Sequence, residues 1–150
     1  MRRRYILWIG LSLYAVSFFL IAIADSSPGI GLRGYQCANN TFFAPWDHDT
    51  TFDSRLDFLA TLISGWINPA FLIAAALSVF GQRLRLVAAL RIVVLLMIPF
   101  CWIVFHYESL YPREGHFVWI IGMLLVLFSR ELSRGDDRIR AMNSGAEAPN

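Results

Sequence analysis

Residues 84–105 read LRLVAALRIVVLLMIPFCWIVF, and past Arg85 the run carries a single charge, Arg91. A bilayer core of about 30 Å needs roughly 20 mostly apolar residues in a helix. This stretch has that length, and it has neighbours of the same kind. On its N-terminal side a second apolar run opens near Asp57 and continues to Phe80, and before that residues 5–24 contain no charge at all. On its C-terminal side the uncharged core is shorter, His116 to Ser129, and reaches spanning length only if a helix begins at Pro112 and ends near Leu132. Proline suits the first helical position because its missing N–H would have no intrahelical partner there. Ser54 followed three residues later by Asp57 resembles a capping box for the second run, with the acid favoured by the helix dipole.

Composition leads to the same class. Hydrophobic residues make up 57% of the 150, charged residues 16%, and the mean hydropathy is +0.52. A soluble domain this small leaves too much of its surface wet to hide so much apolar area. With 10 Gly, 6 Pro and 2 Cys, the chain is neither collagen-like nor a disulfide scaffold. The expected fold is one all-α integral membrane domain over residues 1–150, an antiparallel bundle of four transmembrane helices at about 5–24, 57–80, 84–105 and 112–132. A structured outer loop over 25–54 joins helices 1 and 2, and a polar tail closes the chain over 135–150. No internal repeat is present, so an inverted-repeat transporter architecture has no support.

Arginines set the orientation. Arg2, Arg3, Arg4, Arg83, Arg85, Arg130, Arg134, Arg138 and Arg140 fall on one side of a four-helix path, nine against four acids. The other side has three Arg against seven acids, among them Asp47, Asp49, Asp53, Glu108 and Glu114. The positive-inside rule then puts both termini in the cytoplasm. The implied location is a bacterial inner membrane, crossed several times. All 13 basic residues are Arg, a composition common in GC-rich bacterial genomes, and the lack of Lys excludes Schiff-base and Ser–Lys chemistry. A competing reading takes Arg2–Arg4, the apolar run and Ala22-Ile23-Ala24 as a cleavable secretory signal. The run of about 17 residues is longer than the usual h-region, so the expectation is retention.

The outer loop is too apolar for a disordered linker. Tyr35, Phe42, Phe43 and Trp46 suit a lid packed on the helix ends or a surface that recognises a partner. His48, His106 and His116 with Glu108 and Glu114 are all expected outside, where such groups could hold a divalent ion. None of their spacings is a ligand signature, and solvated loop residues are the plainer expectation. Cys37 lies in the same loop, and Cys101 is 16 residues past Arg85, about 24 Å up the third helix. A Cys37–Cys101 disulfide could pin the lid, with free thiols the alternative. Within the membrane, Arg91, Asn68 and the Gly65 carbonyl freed by Pro69 could form one polar cluster between helices 2 and 3. Such a cluster would serve as structural glue, or line a solute path.

Absences narrow the function. No carboxylate is expected deep in the membrane for a proton relay, and no H-E-x-x-H, G-x-S-x-G or phosphate-binding glycine loop occurs. No cofactor is implied. The basic residues suit anionic lipid, and no nucleic-acid partner is needed. The expected function is non-enzymatic: an accessory or protective protein binding another membrane protein, or a second copy of itself. The alternative is a transporter or channel subunit with a polar site at Arg91 and Asn68. Four short helices with both termini inside resemble small bacterial immunity proteins in architecture, without a motif that carries any residue over.

Overall fold

The computed structural model describes residues 2–24, 31–80 and 84–133, and 79% of these are helical. The chain runs α1 (Arg2–Ser17), β1 (Ile21–Ala24), β2 (Gly31–Arg33), α2 (Gly34–Phe43), a 3-10 turn (Ala44–Trp46), α3 (Arg55–Val79), α4 (Leu84–Tyr107), β3 (Tyr111–Pro112) and α5 (Glu114–Leu127). Two helices, α3 and α4, are long and apolar enough to cross a membrane. The expected tail over 135–150 and eight of the arginines and acids that set orientation (Asp25, Arg83, Arg134, Asp136, Asp137, Arg138, Arg140 and Glu147) lie outside the described residues.

Long helices form two antiparallel pairs, α1 against α5 and α3 against α4, with α3 also meeting α5. The first pair comes together backbone to backbone. A Cβ on Gly122 would sit 2.6 Å from the Tyr14 amide nitrogen, and one on Gly10 would sit 2.9 Å from the Gly122 carbonyl oxygen. Between the pairs lies a dry core of Tyr14, Ile67, Phe71, Val94, Met123 and Val126. Helix α3 begins as the sequence predicts, with Ser54 Oγ accepting from the Asp57 amide at 3.1 Å while Asp57 Oδ2 accepts from the Asp53 amide at 3.2 Å.

Two expectations need correction. The first helix does not continue to residue 24, and the fold is not purely helical. Ser17 Oγ donates back to the Tyr14 carbonyl at 2.6 Å, offering the backbone an alternative to the helical ladder. Tight i→i−3 bonds then close the turn from Phe18 to Leu20. Freed of the helix, β-branched Ile21 and Ile23 extend as β1, which pairs antiparallel with β2 on one edge and β3 on the other. The carbonyls left over past the end of α1 find donors in α2: the Gly34 amide bonds Leu20 O and the Tyr35 amide bonds Phe18 O, both at 3.0 Å. Only glycine fits at 34, since a Cβ there would lie 2.5 Å from the Ser17 carbonyl oxygen.

Pro112 is likewise not the first residue of a helix. It pairs with Ile23 at the sheet edge, where a residue without an N–H is tolerated. Helix α5 therefore starts two residues later, and after a break at Phe128 the chain is helical again over residues 129–133. Gly115 lets this start press on β1, because a Cβ there would meet the Ile21 carbonyl oxygen at 2.7 Å.

Candidate functional site

A cavity of about 80 Å³ lies beneath α2, where α3, α4, α5 and β1 converge. Its roof is the Cys37–Thr41 side of α2, held against α3 because Gly65 has no side chain. A Cβ on Gly65 would lie 2.7 Å from the Thr41 carbonyl oxygen. Its walls include Ser64, Asn68, Cys101, Phe105, His116 and Trp119. No lining residue carries a formal charge.

Asn68 is the best-anchored polar group of this region. Its Oδ1 accepts from Tyr14 Oη at 2.9 Å and from Trp119 Nε1 at 3.0 Å, tying α3 to α1 and to α5. Indole N–H can only donate, so the atom facing Trp119 has to be the amide oxygen. The Asn68 NH₂ is thereby turned elsewhere, and it makes no hydrogen bond among the described residues.

His116 sits in an aromatic cage, 95% buried. Its ring centroid is 4.9 Å from Phe105, 5.4 Å from Trp119 and 5.8 Å from Trp102. No carboxylate touches it among the described residues, and its Nε2 is buried without a hydrogen-bond partner. Ser64 Oγ is in the same position: the Cys101 thiol faces it without reaching hydrogen-bond geometry. Buried polar atoms without partners are rare in folded chains and expensive, on the order of 1–3 kcal/mol each. Two of them lining one cavity identify it as the candidate site.

The expected cluster of Arg91, Asn68 and Gly65 does not form. Arg91 Nη1 instead donates to Glu131 Oε1 at 2.7 Å, and its guanidinium lies 4.9 Å from the Phe128 ring centroid. Glu131, in the helical stretch over residues 129–133, supplies a carboxylate within reach of Arg91, so a flexible arginine pairs there and not with the Asn68 amide. Gly65 serves close packing of the lid. Cys37 and Cys101 line the same cavity, but both thiols are free. Burial pushes the Cys37 thiol up to about 11, a backbone hydrogen bond offsetting part of the effect.

The five expected metal-ligating residues scatter. His48 and His106 are exposed, Glu114 faces Arg113 at 3.6 Å, and His116 is walled in by rings. Glu108 has its carboxyl raised above the ordinary range by partial burial, with Asp57 and Asp53 adding to the shift. Among the described residues no three His, Cys, Asp or Glu side chains gather as a metal would require. The aromatic loop divides in two: Phe42, half-buried, packs against Trp66 with centroids 5.6 Å apart, while Tyr35, Phe43 and Trp46 remain exposed.

Sequence reasoning missed Tyr14, Ser64 and Trp119 as site residues, and missed the cavity itself. Their meeting depends on α1, α3 and α5 docking, and no spacing along the chain encodes it. No protein-family model, curated protein or solved structure matches the chain.

Proposed function

We propose that this is a multi-pass protein of a bacterial inner membrane, crossing four times with both termini cytoplasmic, and working without catalysis by binding another membrane protein. The observation that carries this reading is the division of the aromatic lid. Helix α2 is fixed to α3 through Phe42 and Gly65, yet Tyr35, Phe43 and Trp46 point away from the body at 49%, 56% and 64% exposure. Rigid aromatic side chains held clear of their own core are what partner surfaces use. Membrane residence is supported by the lateral surface, where Ile9, Val16, Leu72, Ile73, Ile92, Leu96 and Ile121 face outward. Helices α1 and α5 have 16 and 14 residues, short of a full crossing, and the adjoining sheet and residues 129–133 would extend them toward the two interfaces.

A mild-detergent pull-down tests the partner. A stoichiometric heterologous membrane protein, lost with Phe43→Ser and Trp46→Ser, is the expected result. A stable homo-oligomer carrying solute flux in liposomes would replace this reading with a transporter. Reporter fusions at residues 40 and 110 should report outside, and at residue 150 inside; a cytoplasmic residue 40 refutes the topology.

A further inference from the structure

We propose that the cavity under α2 binds a small neutral carbonyl group, of the amide or ester kind, either as a free molecule or at the head of a membrane lipid. Four observations converge on this. First, the lining carries no formal charge, so an ionised ligand would find no countercharge there. Second, the free polar functions are mainly donors. The Asn68 NH₂ is turned away from Trp119, and the Ser64 hydroxyl has no partner, so an acceptor oxygen placed between them would satisfy both. Third, His116 Nε2 is buried and orphaned in a ring cage, and in its neutral form it can accept an amide N–H or donate to an ester oxygen according to tautomer. Fourth, about 80 Å³ is roughly half of the 150 Å³ cavity that takes benzene, which leaves room for about three to five heavy atoms.

Phe105, Trp119 and His116 line the cavity, and an alcohol or a charged amine would bring a donor of its own to a lining whose open functions mainly donate. The site lies inside the helical body and does not involve Tyr35, Phe43 or Trp46, so it stands independently of partner binding.

The test uses the full-length chain in nanodiscs, labelled with ¹⁵N at the tryptophan indoles and titrated separately with acetamide and with N-octylacetamide. The Trp119 indole N–H should shift, because it bonds the same Asn68 amide that would hold the ligand, while Trp8 and Trp46, which do not line the cavity, stay still. For so few atoms the affinity should be no tighter than roughly tens of micromolar. Saturation by acetamide identifies a free ligand; saturation by the octyl probe alone identifies a lipid head. Ser64→Ala and His116→Phe should each weaken binding by about threefold to tenfold while leaving the dispersed indole spectrum of the folded chain. An unmoved Trp119 signal with both probes means that the cavity holds water only, and overturns the proposal. So does a shift of equal affinity in both variants. Loss of partner binding in the pull-down has no bearing on either result.

Discussion

Replacing Asn68 by Leu removes the one acceptor that joins three helices. Its Oδ1 receives Tyr14 Oη at 2.9 Å and Trp119 Nε1 at 3.0 Å, and Tyr14 is 7% exposed, so water cannot stand in for the lost partner. Interhelical hydrogen bonds in membranes average about 0.6 kcal/mol and reach about 1.7 kcal/mol, so losing two should cost roughly 1–3 kcal/mol. Part of that loss is the burial of orphaned donors, which a second substitution can relieve. Tyr14→Phe alone should cost roughly 0.5–1.5 kcal/mol, and in the Asn68→Leu background it should cost nothing or stabilise slightly, giving a coupling of roughly 0.5–1.5 kcal/mol. Reversible denaturation in mixed detergent micelles, followed by far-UV circular dichroism, gives all four corners of the cycle. Asn68→Leu at wild-type stability, or the same Tyr14→Phe penalty in both backgrounds, would refute the three-helix tie.

Gly122→Ala places a methyl 2.6 Å from the Tyr14 amide nitrogen, against backbone that cannot yield; α1 and α5 should separate at a cost of roughly 1–3 kcal/mol, read by the same denaturation. Arg91→Leu removes an ion pair whose carboxylate is 49% exposed, together with a buried Nε that has no partner, so the net change should stay below about 1 kcal/mol with insertion and topology unaltered. A loss well above that, or loss of cellular activity at full stability, would assign Arg91 to a functional site instead. Cys37, pushed up to about 11 by burial, should react slowly with maleimide at neutral pH and faster as pH approaches that value. Two thiols should label in the denatured, unreduced chain, and labelling of neither would mean that a disulfide joins them.

What could be read from the chain was whatever depends on local pattern. The apolar runs at 57–80 and 84–105 correspond to α3 and α4 within two residues at each boundary, because length and hydropathy are properties of a single segment. The Ser54–Asp57 start is legible for the same reason, as four consecutive residues contain the whole interaction. Residues 21–24 are not legible as a strand because Ile-Ala-Ile-Ala suits a membrane helix equally well, and the choice is made by partners at 31–33 and 111–112. From sequence, Arg91 and Asn68 pair because both fall inside apolar runs. Depth does not fix the face of a helix, and Glu131, at the end of another segment, was the closer acceptor. The cavity was invisible for a stronger reason: it is defined by atoms that fail to meet, and a sequence shows only which groups are present.

The placement of β3 has a consequence for biogenesis. Ile23 pairs with Pro112, 89 residues later in the chain, and α1 takes as its neighbour α5, which also lies far along it. At about 5–20 residues per second, a ribosome needs roughly 5–20 s to deliver that partner. During this interval the Gly10 face of α1 lacks its partner, which in the proposed topology would leave it against lipid, and one edge of β1 stays unpaired. The first helix would thus wait for its neighbour until residues 114–127 have been made, and a chain truncated before residue 111 would leave the Gly10 face of α1 without the helix it packs on.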